Sequence, residues 1–170
     1  RDGHVCPPLI VDDHIICGNG DHVFAHAGAF LSFLAMIDDL GIRAGLDGRV
    51  VRHRVGDVRP RAHRHAELEV NLVVRGTASY LLGDRRYALT PGTLTWLFPG
   101  QDHLLVDESS DHELWWAVFR PALVAQIATT PHARPLLEAD PVGQFSRRLD
   151  SGRVRRLGAL FHEVQDAETV

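Results

Sequence analysis

Two stretches decide how this chain reads: His63-Arg64-His65-Ala66-Glu67-Leu68-Glu69 and, further on, Pro99-Gly100-Gln101-Asp102-His103. His63 and His65 are two apart, so in an extended segment both imidazoles leave one face. Ala66 to Leu68 leaves room for a tight reversal, and Glu69 opens a second extended run, Val70-Asn71-Leu72-Val73-Val74. His103 follows a Pro-Gly turn and heads a third, Leu104-Leu105-Val106. Three imidazoles and one carboxylate can therefore meet from three strands of one small β structure. Nitrogen plus carboxylate is the donor set that borderline divalent metals take, here zinc, iron, nickel, manganese or copper. Each residue alone has a plainer explanation, since H-x-H is common on exposed strands and a buried Glu can simply be salt-bridged. The four together point to a metal site made of His63, His65, Glu69 and His103.

Outward from this pair of stretches the period is two. Val51, His53 and Val55 alternate with Arg52 and Arg54, which reads as a strand, and Gly56-Asp57 as a turn. Val58 to His65 is expected to extend into the first stretch, with Pro60 tolerated near an edge or strand start. Glu69 to Arg75 is a central strand that Gly76 ends. Thr77 to Leu82 and Tyr87 to Leu89 form a hairpin around Gly83-Asp84-Arg85-Arg86, followed by strands at Leu94–Phe98, Leu104–Val106 and Glu113–Phe119. Asp107 to Asp111 reads as a polar loop. Many short strands at regular spacing with glycine turns indicate an antiparallel barrel or jelly roll.

The flanks read differently. Residues 1 to 20, with Pro7-Pro8 and Gly18-Asn19-Gly20, suggest an arm holding one strand at Ile15-Ile16. Phe24 to Leu40 has apolar residues at three- and four-residue spacing and stops at Gly41, as a helix packed on the barrel would. His4, His14, His22 and His26 have no partner at a ligand spacing and read as surface residues. After Arg120, Pro121 opens a short helix to Ala128, and Pro131, Pro135 and Pro141 break the chain. Ser151 looks like a cap for a helix to about Ala167 with the stripe Val154, Leu157, Leu160, Phe161 and Val164. Arg147, Arg148, Arg153, Arg155 and Arg156 gather at its start, either as a solvated basic face or beside a dimerising one. The chain thus divides into an arm and helix over 1–48, a barrel over 49–120 and a helical segment over 121–170.

The bulk composition sets limits. At 170 residues, 45% hydrophobic and 24% charged, the chain can bury a core as one domain with appendages. A net charge of −4 does not suit a surface built for nucleic acid. All 18 basic residues are arginine, which we read as base-composition bias. Cys6 and Cys17 fit neither a zinc motif nor a disulfide framework. No stretch reaches transmembrane length and the start lacks a signal-peptide layout, so a cytoplasmic protein is expected.

The two stretches resemble the motifs of the cupin superfamily. The first reads His63-x-His65-x-x-x-Glu69, then six residues to Gly76; in the second, Gly92, Gly100 and His103 keep the family spacing. Gly56 lies one residue too far upstream, Pro99 is adjacent to Gly100 instead of two before it, and Asp107 stands where the family has Asn. None of these departures touches the four ligand positions. The run from Pro60 through Phe119, then Arg120-Pro121-Ala122-Leu123-Val124 and a helical tail, is similar to the effector-binding half of AraC-type transcription regulators. That resemblance implies a mainly β fold, a cupin or jelly-roll barrel with an N-terminal arm and helix and C-terminal helices. It implies a small-molecule effector, a homodimer, and DNA contact through a C-terminal domain absent from residues 1 to 170.

By strand parity Asn71 and Val73 share the face of Glu69. Asn71, Tyr80, Trp96 and Phe98 are expected to line a ligand pocket, apolar with a few fixed polar groups, although core packing is the default for Trp96. No further Tyr, Glu or His falls clearly on the inward parity, and no nucleophile elbow, phosphate loop or Cys–His pair is present. The first expectation is a metal-binding sensor domain without turnover. The second is a free-standing metal-dependent cupin enzyme, an oxygenase or isomerase.

Overall fold

The computed structural model describes residues 9–11, 14–16, 40–57, 61–83, 85–139, 141 and 146–168. The chain forms two compact units, residues 1–34 and 35–170. In the first, β1 (Leu9–Val11) and β2 (His14–Ile16) pair antiparallel with Leu9 opposite Ile16. The strand expected at Ile15-Ile16 is thus present. The helix expected from Phe24 falls, up to Asp39, outside the described residues, as do Val58 to Pro60.

The second unit is built of β3 (Gly48–Arg54), β4 (Leu68–Arg75), β5 (Ala78–Leu82), β6 (Arg85–Leu89), β7 (Thr93–Leu97), β8 (His103–Val106), β9 (Glu113–Phe119) and β10 (Ser146–Arg148). Between β9 and β10 lie α1 (Pro121–Ile127) and a 3₁₀ turn (Pro131–Leu137), and α2 (Ser151–Glu168) follows β10. Five strands order as β10-β7-β4-β9-β3 and three as β6-β5-β8, all antiparallel. This is the mainly β jelly roll read from the sequence.

β4 explains why one strand can be buried along most of its length. Leu68 to Val73 are all buried, because both faces of the sheet are covered. On the outer face, Val70 and Leu72 join Val50, Leu94, Trp115 and Ala117 beneath Phe161 of α2. On the inner face, Val73 and Leu97 pack against Ala78, Tyr80 and Leu89 of the smaller sheet. A strand covered on both sides is apolar throughout instead of alternating. Two polar residues interrupt that rule, Glu69 and Asn71, both on the inner face.

α2 holds the outer layer. Val154, Leu157 and Phe161 pack on the sheet, the Phe161 ring centroid 6.0 Å from that of Trp115. Burying one such aromatic contributes about 1.5–3 kcal/mol. The other half of the expected stripe, Leu160 and Val164, is 49% and 45% exposed. At the far end of α2, Glu168 Oε1 accepts the Val50 N–H at 2.9 Å and so covers part of the edge that β3 would leave bare.

Several boundaries differ from expectation: Arg85 and Arg86, expected in the turn, open β6, and the described part of the stretch Val58 to His65 forms only an isolated bridge, His63 with His103. The cap of α2 is Asp150, whose Oδ1 accepts the Arg153 N–H at 2.9 Å, one residue before Ser151. Arg147 and Arg148 belong to β10, opposite Leu94 and Thr93 of β7, and not to the helix start. Ser146-Arg147-Arg148 has no apolar alternation; its strand form comes from the free edge of β7. Among the described residues no helix is long and apolar enough to cross a membrane.

Candidate functional site

The two motifs are stitched together by their backbones. His63 and His103 exchange both hydrogen bonds, N–H to carbonyl at 3.0 Å in each direction, and the Gly100 N–H donates to His65 O at 2.9 Å. These bonds put the side chains within reach of one another. Ring centroids are 4.2 Å apart for His63 and His103, 5.1 Å for His65 and His103, and 5.9 Å for His63 and His65. One ring nitrogen of each histidine lies within 4.8 Å of the other two.

The same nitrogen is tethered on all three rings. Nδ1 of His63, His65 and His103 meets the carbonyls of Arg61, Glu67 and Gln101 at 3.0, 3.0 and 2.9 Å, each two residues away. A ring that donates Nδ1–H to a carbonyl presents Nε2 on its other side, the arrangement typical of metal-binding histidines.

Glu69 forms the floor. It is buried on β4; its Oε1 accepts from Asn71 Nδ2 at 2.6 Å, and its Oε2 lies 3.0 Å from His65 Nε2 and 3.9 Å from His103 Nε2. Glu69 therefore reaches two of the three histidines. Burial would raise its pKa, but the His65 hydrogen bond, the nearby imidazoles and Asn71 outweigh it and carry the pKa down to about 2. Burial would lower the pKa of His65, and the hydrogen bond and charge of Glu69 reverse this and raise it. His65 has an acceptor at each nitrogen, which suits the imidazolium form. For His103 burial prevails over the pull of Glu69, and its pKa is lowered.

Neutral His103, with its Nδ1–H given to Gln101, has a bare lone pair on Nε2. That atom is buried without a partner, and so is Asn71 Oδ1. An orphaned imidazole nitrogen facing a carboxylate fits a divalent cation. Such a cation would be held by His63, His65, His103 and Glu69, and would displace the Nε2 proton of His65.

The four expected pocket residues are not brought together. Asn71 lies on the inner face beside Glu69. Tyr80 is inside as well, its ring 6.3 Å from that of His103. Burial, reinforced by the charges of Glu69 and Glu108, pushes the Tyr80 hydroxyl well above its usual range, so it stays protonated. Trp96 is opposite Val70 and so faces outward, whereas Thr95 and Leu97 face in, opposite Asn71 and Glu69. Trp96 and Phe98 instead line a separate hollow of about 440 Å³ with His132, Pro135, Leu136 and Arg147. Alternation along β7 turns Trp96 outward, and Phe98, just past the end of β7, packs with Leu68, Val124 and Ala128. The expectation that no further titratable group gathers inward is also corrected. His53, Glu108 and His112 form a second cluster; Glu108 and His112 are four apart in one loop, and His53 joins them from β3 with no local spacing to link it.

The family described as AraC-like ligand binding domain matches residues 48–168. No curated protein matches the sequence. ToxT from Vibrio cholerae superposes with a TM-score of 0.51 at 9% identity, over 68% of this chain and 48% of that one. Unsaturated fatty acid bound ToxT from Vibrio cholerae strain SCE256 gives 0.52 at 11% identity, over 72% and 48%. A Cupin 2 conserved barrel domain protein from Salinispora arenicola gives 0.37 at 18% identity, over 55% and 79%. At these identities the ToxT likeness shows a shared fold. The chain spans about half the length of the ToxT chains it matches.

Proposed function

We propose that this chain, which belongs to the AraC-like ligand-binding domain family, is the effector-sensing part of a cytoplasmic transcription regulator. In this reading its barrel carries one divalent transition metal, zinc, iron, nickel or manganese. The observation that carries the proposal is the buried, unpartnered Nε2 of His103 beside Glu69, inside a family of ligand-binding barrels. Three neutral imidazoles and one carboxylate leave the cation a net positive charge and open positions. An effector with a carboxylate or hydroxyl then completes the shell, with Asn71 and Tyr80 as fixed polar neighbours. The fatty acid named for ToxT is a carboxylate of this kind.

Effector binding would act by population shift, favouring one arrangement of the helices after the barrel. Two copies would meet through the exposed side of α2 at Leu160 and Val164. DNA would be reached through a helix-turn-helix domain outside residues 1–170. The test is calorimetric titration of the metal-loaded chain with a panel of small carboxylates and fatty acids. Binding that disappears in His65→Ala supports the proposal. Absence of both retained metal and carboxylate binding overturns it. Metal-dependent turnover of a bound compound, lost in His65→Ala, would replace the sensor with the enzyme reading.

A further inference from the structure

His53 of β3, Glu108 of the loop after β8, and His112 just before β9 each bring one ligating atom within 4.8 Å of the others. One carboxylate oxygen, Glu108 Oε1, lies 2.7 Å from His112 Nδ1 and 3.2 Å from His53 Nε2. A tetrahedral zinc with bonds of about 2.0–2.1 Å separates its ligand atoms by about 3.3 Å, so only small side-chain shifts are needed. We propose that His53, Glu108 and His112 form a second site for a borderline divalent cation such as zinc, separate from the barrel centre. Its donors are two imidazoles and one carboxylate, a set that leaves open positions for water.

The surroundings are those of a built site. The His112 side chain is fully buried, while those of Glu108 and His53 are 9% and 14% exposed, which leaves an entry path. His112 Nε2 is buried without a partner. A cation on Nδ1 would replace its 2.7 Å hydrogen bond to Glu108, and the ring proton would move to Nε2, where it displaces no existing partner. The loop is fixed from below. Ser109 Oγ accepts the Thr77 N–H at 2.9 Å, Ser109 N–H donates to Thr77 O at 2.8 Å, and His112 N–H donates to Ser109 O at 2.9 Å. Gly76 passes so close that an added Cβ would sit 2.6 Å from His112 Cα. On the other side, the Val55 N–H donates to His112 O at 3.2 Å. A cation here would clamp β3 to the loop before β9.

The experiment strips the chain with a chelator, reloads it with Zn²⁺, desalts it and counts zinc per chain. It compares wild type with His53→Ala, Glu108→Gln and His103→Ala, each checked for native circular dichroism. His53, on an edge strand and not fully buried, is the substitution that best preserves the fold, and it decides the matter if Glu108→Gln does not fold. The expected result is one zinc fewer in His53→Ala and Glu108→Gln than in wild type. Co²⁺ loading should give a ligand-field absorption that His103→Ala keeps and His53→Ala loses. Equal zinc in wild type, His53→Ala and Glu108→Gln overturns the proposal. Zinc lost only in His103→Ala overturns it while leaving the barrel metal standing; zinc lost only in His53→Ala does the reverse.

Discussion

The two histidine clusters differ in how their carboxylates are held. Glu69 sits on a central strand, fully buried, with Asn71 on one oxygen and His65 on the other. Glu108 sits in a loop and offers one oxygen to two histidines. The first group has every Nδ1 tied to a backbone carbonyl. In the second, His112 and His53 meet Glu108 directly. His53 is level with Leu114 and so with Val73, four residues along β4 from Glu69, about 13 Å of strand. The contrast teaches that a carboxylate on a central strand is placed by the sheet, while one in a loop depends on what holds the loop.

The largest expected effect tests that statement. Without metal, Glu69→Ala removes the partner of buried His65 Nε2 and of Asn71 Nδ2, a cost of about 3–5 kcal/mol by urea denaturation. Glu108→Ala leaves the buried His112 Nδ1 without its partner and His53 partly open to water, and should cost about 1–3 kcal/mol. Equal costs would break the comparison. The pH dependence sharpens it. The depressed Glu69 pKa contributes stability above its ordinary value of 4.5, lost as pH falls towards about 2. The raised His65 pKa contributes stability below 6.5, lost as pH rises through the folded value. The Glu69→Ala penalty should therefore peak between pH 4.5 and 6.5.

Gly76→Ala comes next. Gly76 has φ of 65°, and its Cβ would meet Ser109 Oγ at 2.5 Å and the His112 backbone at 2.6–2.7 Å. Strain plus overpacking should cost about 2–4 kcal/mol. The damage should fall on the second cluster, seen as lost zinc capacity there, with the first unaffected. Damage to both would show that the loop also supports the barrel floor.

The first cluster was legible because its ligands lie close in the chain. H-x-H and a glutamate four residues on fix parity locally, and only His103 had to be brought from afar. Asn71 followed from the same parity. Trp96 was misplaced because its neighbours Leu94, Leu97 and Phe98 are also apolar, so alternation in β7 is masked by burial on both faces. The second cluster was not legible. His53, Glu108 and His112 meet through the register of β3 on β9 and the fold of one loop, neither of which has a local pattern. β10 was missed for the same reason, its three residues being strand-like only beside β7.

Asn71→Ala is a smaller effect confined to one cluster. It removes the 2.6 Å donor to Glu69 Oε1 and frees the carboxylate to turn. Outer partners of this kind hold ligands in place, so metal affinity at the barrel centre should fall about 10–100-fold. Stability without metal should fall by about 1–3 kcal/mol, and zinc at the His53 group should be unchanged. An unchanged barrel affinity would mean that Glu69 is held by its histidines alone.

The smallest effect lies on the reverse of the second cluster. Glu113 follows His112, and on the opposite face of β3 from His53 it meets Arg52 and Arg54 at 2.9 and 3.0 Å. The Arg52 hydrogen bond, assisted by Arg54, lowers the Glu113 pKa. Arg54 is 72% exposed and Arg52 34%, so water and salt screen much of this, and the cluster is worth about 0.5–1 kcal/mol. A depressed carboxylate gives stability present above its ordinary pKa of 4.5 and lost as pH falls through the folded value. Glu113→Gln should therefore lower the urea midpoint at pH 7, and the gap from wild type should close below pH 4.5 and shrink in high salt. The zinc count should not move, because the ion pairs lie on the opposite face of β3 from His53. A change in zinc with Glu113→Gln would show that β3 transmits the surface charges to the site behind it.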